Sequence, residues 1–67
     1  MTVEQKALTR LRTVERIIHD RGQIESGELE MLMLYQFGIL PRTVAKYVAC
    51  LASLGKIAID GTLLKVT

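Results

Sequence analysis

The fold is decided by residues 26–61, which read SGELEMLMLYQFGILPRTVAKYVACLASLGKIAIDG. Gly38 is the residue type that most often ends a helix. Pro41 suits the first turn of a following helix, where its missing N–H group costs nothing. Asp60-Gly61 is a strong signal for a two-residue hairpin loop. The stretch therefore predicts a helix over 27–37, a tight turn, a helix over 41–54 and a small hairpin.

The apolar residues of both predicted helices follow helical spacing, so each helix has one face for the core. Ser26 is the expected N-cap of the first helix. The inward faces are predicted to be Leu29, Leu32 and Met33 in the first helix and Val44, Val48, Leu51 and Leu54 in the second. The first helix is apolar on a second side as well, at Met31, Leu34 and Tyr35. This excess is typical of a helix that another subunit covers.

Upstream, residues 3–21 predict one long helix with an apolar stripe at spacings of three and four. Thr2 is its candidate N-cap, and Arg21-Gly22 ends it with a basic last turn and a glycine. The stripe consists of Ala7, Leu8, Leu11, Val14, Ile17 and Ile18. Residues 23–25 are too few for a helix and predict a strand of one or two residues.

A loop at Asp60-Gly61 also predicts how the hairpin strands pair. The pairs would be Ile59 with Thr62, Ala58 with Leu63, Ile57 with Leu64 and Lys56 with Lys65, with Ile57, Ile59 and Leu64 facing the core. Like charges directly opposite each other on neighbouring strands repel. Two interpretations of Lys56 and Lys65 are open, a phosphate site between them or two side chains that splay into water.

The chain has 67 residues, which is room for one domain spanning 1–67. A domain this small buries only about 60% of its unfolded surface and benefits from a support such as a partner subunit. Cys50 is the only cysteine and His19 the only histidine, which rules out an intrachain disulfide or a Cys/His zinc cage. Because 49% of the residues are hydrophobic, the composition favours a homodimer.

Targeting and catalytic motifs are missing from the sequence. The start, MTVEQK, lacks the basic region and apolar block of a signal peptide. No apolar run approaches the roughly 18 residues of a membrane span. Together with the single thiol, this predicts a cytoplasmic protein without a membrane partner. There is no glycine-rich phosphate loop, paired-carboxylate spacing or metal-ligand cluster, so we expect no enzyme activity, no cofactor, no metal and no small-molecule ligand.

A family resemblance is carried by the turn glycine Gly38, the helix start Arg42-Thr43-Val44 and the segment Leu54-Gly55-Lys56-Ile57 that leads into the hairpin. With these motifs the chain resembles the winged helix-turn-helix superfamily, and especially its small prokaryotic, archaeal or viral transcription regulators. The resemblance implies a mostly α fold with a small antiparallel β-wing. It further implies duplex DNA as the partner, a recognition helix over 41–54 in the major groove and a wing over 56–66 on the backbone. The chain is also similar to small winged-helix accessory proteins of ferrous-iron transport, but it lacks their cysteine cluster after the wing.

The same resemblance implies which residues contact DNA. The candidates are Arg42, Thr43, Lys46, Tyr47, Ser53, Lys56 and Lys65. Arg42 suits two parallel hydrogen bonds to guanine or a charge-assisted bond to phosphate. Thr43 suits phosphate or the thymine methyl group. Two positions depart from the family pattern, since Leu40 replaces a capping hydroxyl and the wing tip at Asp60-Gly61 has no arginine.

The charge distribution agrees with a DNA-binding C-terminal half. Residues 41–67 carry a net charge of +3, whereas residues 22–40 carry −3. The alternatives remain a solvated face for the helix charges and, for Tyr47, a ring packed in the core in place of a hydroxyl on phosphate. The second functional hypothesis is a winged-helix protein–protein interaction module within a larger assembly. Its working face would be Met31, Leu34, Tyr35 and Leu63.

Overall fold

A computed structural model describes the backbone of residues 3–67 and the side chains of residues 5–67. Its elements, in chain order, are α1 (Val3–Arg21), β1 (Gln23–Glu25), α2 (Ser26–Phe37), α3 (Pro41–Ser53), β2 (Ile57–Asp60) and β3 (Leu63–Val66). The fold class is confirmed, since three helices accompany one small antiparallel sheet in a winged-helix-like layout. The candidate N-cap Thr2 lies outside the described residues.

The apolar stripe of α1 is confirmed in its C-terminal half. Val14 and Ile18 are fully buried, and Leu11 and Ile17 pack against the core from its edge. Leu8, however, is 45% exposed. A helix of 19 residues is about 28 Å long, clearly longer than α2 or α3. Its first turns therefore extend past the elements that cover the rest of the stripe.

The start of α2 differs from the prediction, because Ser26 is the first helical residue and not the N-cap. Glu25 holds the N-cap position with extended backbone angles, and no side chain caps the helix. The chain enters α2 directly from β1, so the residue before the helix belongs to the sheet. The N–H group of Ser26 instead donates to the Thr62 carbonyl oxygen at 2.8 Å.

A three-residue turn joins α2 to α3. Gly38 has φ 66° and ψ 24°, a left-handed conformation that favours glycine, and its N–H donates to the Leu34 carbonyl oxygen at 3.0 Å. Ile39 follows and is only 4% exposed, so the turn is anchored in the core. Pro41 then opens α3 at its first turn, as predicted.

The buried face of α3 is confirmed except at its end. Val44, Val48 and Leu51 are buried, but Leu54 is 63% exposed, so its place in the core stripe was wrong. The reason is that α3 ends at Ser53, and helical spacing no longer places a side chain beyond that point. The chain turns at Gly55 into β2, with the Lys56 N–H donating to the Leu51 carbonyl oxygen at 2.9 Å.

The sheet has the order β1-β3-β2, so β3 is its central strand. The predicted hairpin pairing was wrong. Its observed pairs are Ile57 with Val66, Ala58 with Lys65, Ile59 with Leu64 and Asp60 with Leu63. The loop is therefore Gly61-Thr62. Gly61 has a positive φ of 63°, as in the two-residue hairpin turns that need glycine at their first loop position.

The register is held from the other edge of β3, where β1 pairs with it. Ile24 lies opposite Leu64, and the Thr62 hydroxyl donates to the Glu25 carboxylate at 2.8 Å. These contacts fix Thr62 in the loop. Each β2 residue therefore pairs with a β3 residue two positions further along the chain than predicted. Because side chains alternate with a period of two, Ile57 and Leu64 still face the core. Ile59 shares their side of the sheet but is 51% exposed, since it lies near the hairpin tip, past the edge of the core.

One continuous core joins all three helices to the sheet. Its buried members are Val14, Ile18, Ile24, Leu29, Met33, Ile39, Val44, Val48, Leu51, Ile57 and Leu64. No polar side chain of the described residues is buried, so the core is stabilised by apolar burial. Within residues 3–67, no helix has both the length and the apolar content needed to cross a bilayer.

Candidate nucleic-acid interface

The outward face of α3 carries a row of side chains opposite its buried stripe. Arg42, Lys46, Ala49 and Ser53 follow one another at spacings of four, three and four, and all are exposed. Residues at these spacings share one face of a helix. We call these four residues the α3 row. It extends over about 16 Å, three turns of helix.

Both cations of the α3 row are free to bind a ligand. In the described part of the chain, the side chains of Arg42 and Lys46 make no ion pair or hydrogen bond. α3 itself contains no acidic residue. Leu40, at the N-cap position, provides no side-chain cap, so the positive end of the helix dipole is not neutralised beside Arg42. The face therefore attracts anions.

Two further candidates lie on one edge of this face. Thr43 and Tyr47 are half-buried, and Tyr47 packs against the core cluster. The packing interpretation of the Tyr47 ring is the one that the structure shows. Both side chains thus border the α3 row on one side.

The two hairpin lysines are not a pair, which corrects the predicted repulsion. Lys65 lies on the central strand opposite Ala58, and its Nζ donates to the Asp60 carboxylate at 3.2 Å. Lys56 precedes β2 and is exposed. Its side chain has no ionic partner among the residues that the structure describes. The C-terminal half therefore has free cations at Arg42, Lys46 and Lys56, while the charge of Lys65 is compensated.

A shallow groove of about 290 Å³ lies between α3 and the hairpin. Its floor is apolar, with Val48 and Leu64, and its α3 wall consists of Ala45 and Ala49. Glu30 of α2 lies at its rim. The sequence did not predict this groove, because it depends on small residues that meet only when the hairpin packs beside α3.

The basic residues of α1 lie apart from those of α3. Arg12 and Arg16 flank a shallow depression with Thr9 and Thr13, whose hydroxyls donate to helix carbonyl oxygens at 2.9 Å. α1 packs on the core that buries the inner face of α3. Arg12 and Arg16 therefore belong to a basic surface that lies on another helix and shares no residue with the α3 row.

The described residues form no metal site, and their one thiol stands alone. In the described region, no group of three His, Cys, Asp or Glu side chains is placed to hold a metal ion. Cys50 is an exposed free thiol, and His19 is exposed near the end of α1. The arrangement that stands out chemically is the α3 row with Lys56.

Comparisons of this chain with protein-family models, with curated proteins and with solved structures give no match. The chain is therefore described by its own layout, an α+β fold in which three helices, with a tight turn between the last two, precede a hairpin.

Proposed function

We propose that this chain binds duplex DNA as a transcription regulator of the winged helix-turn-helix type. In this proposal, α3 enters the major groove and the β2–β3 hairpin lies on the backbone. The observation that carries the proposal is the α3 row, an exposed helix face with two unpaired cations and no acid. The major groove of B-DNA admits one α-helix of this kind.

Each residue of the interface has a distinct role in the proposal. Arg42 reads a base, because its guanidinium forms two parallel hydrogen bonds to the O6 and N7 atoms of guanine. Lys46, one turn further, contacts the next base or a phosphate. Thr43 and Tyr47 border the strand backbone. Ser53 and Lys56, at the far end of α3, contact phosphate. Lys65 contributes less than Lys56 because Asp60 already pairs with it.

The proposal includes a homodimer in the cytoplasm, and assigns the chain no enzyme activity or cofactor. A dimer bound to two half-sites on one side of the duplex holds its α3 helices about 34 Å apart, one turn of DNA. A cytoplasmic location gives the protein access to DNA and keeps the single free thiol, Cys50, reduced.

A salt titration tests the proposal. Binding to a fluorescent duplex of random sequence is measured by anisotropy at several salt concentrations. With Arg42 on a base, phosphate contacts by Lys46 and Lys56 predict that log K falls with log salt with a slope of about −1.8 per bound protomer. Replacing Arg42, Lys46 and Lys56 together by alanine should abolish binding.

The matched control replaces Lys6, Arg10 and Arg12 by alanine, which removes the same charge from exposed positions on α1. This control should retain the affinity and slope of the parent. Equal losses in both triple variants would show that net charge alone drives binding. If the α3 variant keeps its affinity, the proposed interface is wrong.

One observation favours a second function, that of a protein–protein interaction module. Met31, Leu34 and Tyr35 are exposed on α2, as that hypothesis requires. Leu63, the fourth residue of its working face, is half-buried on the central strand. In this case the substitutions of Arg42, Lys46 and Lys56 leave partner binding unchanged, and Leu34→Asp abolishes it.

A further inference from the structure

The outer side of α2 exposes large apolar side chains next to one another. Tyr35 is 91% exposed, Met31 67%, Phe37 49% and Leu34 40%. Met31 lies three and four residues before Leu34 and Tyr35, so these three are neighbours on one face of the helix. Phe37 follows Leu34 by three residues and extends the set on the side away from Tyr35. We call these four residues the α2 patch.

The α2 patch is electrically neutral. Residues 31–41, MLMLYQFGILP, contain no charged side chain. At its N-terminal border, Glu28 is held by Arg21 in an ion pair of 2.6 Å, with both side chains about half exposed. The patch therefore has an apolar, uncharged centre, an N-terminal border with one charge of each sign, and the half-buried Glu30 one turn before Leu34.

The size of the patch is appropriate for a specific interface. At these exposures the four side chains present about 500 Å² of surface, and the whole chain has 4537 Å². This is near the tenth of the surface that each partner contributes to a standard interface. If both patches are fully covered, they bury about 1,000 Å² together, which is the lower limit for a biological interface and less than the roughly 1,600 Å² of a standard one.

We propose that the α2 patch is the contact between two copies of this chain, related by a two-fold axis through Leu34 and Tyr35. This inference rests on the homodimer of the proposed function and identifies its surface. In a two-fold contact each residue near the axis faces its own copy. A charged patch would repel itself there, whereas a neutral apolar patch is self-complementary.

The rim supports the same arrangement. Arg21 and Glu28 carry opposite charges at one border of the patch. A two-fold axis through Leu34 and Tyr35 crosses α2, so this border of one copy lies beside the uncharged C-terminal end of the other, and neither charge meets its own copy. This polar rim around an apolar centre matches the usual anatomy of protein interfaces.

The proposed dimer leaves the α3 row free, since the two surfaces share no residue. Each dimer then presents two α3 rows. Association is measured without DNA, so a monomeric protein would overturn this inference alone. DNA binding by a single copy would still be tested by the salt titration.

The test is sedimentation equilibrium of the full chain up to about 0.5 mM, where even weak association is populated. The wild type should show twice the 7.5 kDa mass of one chain. Met31→Lys with Tyr35→Lys should raise the dimer dissociation constant by roughly 100-fold, because central anchors contribute most of the binding energy. The matched control, Leu54→Lys with Ile59→Lys, adds the same charge at apolar positions that are 63% and 51% exposed and should change it less than about threefold.

A charge-reversal mixture tests the symmetry of the contact. The variant with both lysines should remain monomeric alone, as should one with Met31→Glu and Tyr35→Glu, and an equimolar mixture should form a heterodimer. Far-UV circular dichroism checks that every variant stays folded. A monomeric wild type, equal dissociation of the Leu54/Ile59 control, or a mixture that stays monomeric would each overturn the proposal. A concentration-dependent series of larger species would do so as well, since it indicates a contact that does not close.

Discussion

α2 and α3 are neighbouring helices of 12 and 13 residues that share one core and differ on the side turned away from it. Inwardly, both supply fully or nearly fully buried aliphatic residues. Outwardly, α2 presents large neutral apolar side chains, whereas α3 presents two free cations between small residues. The core thus explains why both helices form, and the outward chemistry separates their proposed tasks, association for α2 and anion binding for α3.

The largest effect is expected from the inward face that both helices share. Leu29→Ala should lower the free energy of unfolding by about 2–5 kcal/mol, because Leu29 is fully buried and its truncation leaves a cavity. Urea denaturation monitored by circular dichroism measures this loss. Leu34→Ala on the same helix is the control and should cost below about 1 kcal/mol, measured at a concentration where the chain is monomeric. Equal losses would contradict the inward and outward assignment of α2.

The next largest effect separates the outward faces. Arg42→Ala should weaken binding to the preferred duplex by about 1–3 kcal/mol and relax the preference at one base pair, since it removes a bidentate contact. Arg12→Ala, on the outer side of α1, is the control and should leave affinity and preference unchanged. Binding to a duplex library before and after each substitution measures both quantities. A uniform loss across all sequences would reassign Arg42 to phosphate.

The helices and most of their faces were predictable from sequence, because they depend on residues close together in the chain. The spacing of Val44, Val48 and Leu51 determines a buried stripe without knowledge of the fold. Gly22 and Gly38, predicted at helix ends, and Gly61, predicted in the hairpin loop, all have positive φ. The outward position of the α3 cations was likewise predictable from sequence, because it follows from the buried stripe on the opposite face of the helix.

The hairpin register was not predictable in this way. It depends on Thr62, whose hydroxyl binds the Glu25 carboxylate 37 residues earlier in the chain. Local turn preference favoured Asp60-Gly61, and pairing of β1 with β3 overrode it. The ion pair between Lys65 and Asp60 was missed for the same reason.

A smaller effect distinguishes the free lysine of the hairpin region. Lys56→Ala should weaken binding to every duplex sequence and reduce the salt slope by about 0.9, the loss of one phosphate contact. The folded state should keep its stability, because the Lys56 side chain has no ionic partner among the described residues. Anisotropy titrations at four salt concentrations measure the slope. An unchanged slope would show that Lys56 does not contact DNA and that the interface is limited to the α3 row.

The smallest effect concerns Lys65, the lysine that is already paired. Its bond to Asp60 joins side chains that are 42% and 73% exposed, and such surface pairs contribute about 0.2–1 kcal/mol. Lys65→Ala should therefore destabilise the fold slightly, and the loss should shrink at high salt, where exposed charges are screened. A double-mutant cycle with Asp60→Ala measures the coupling by urea denaturation at low and high salt. Had Lys65 faced Lys56, the same substitution would have stabilised the hairpin by removing a repulsion. A gain in stability would thus contradict the observed register, while a change in DNA salt slope as large as that of Lys56→Ala would show that Lys65 leaves Asp60 to bind phosphate.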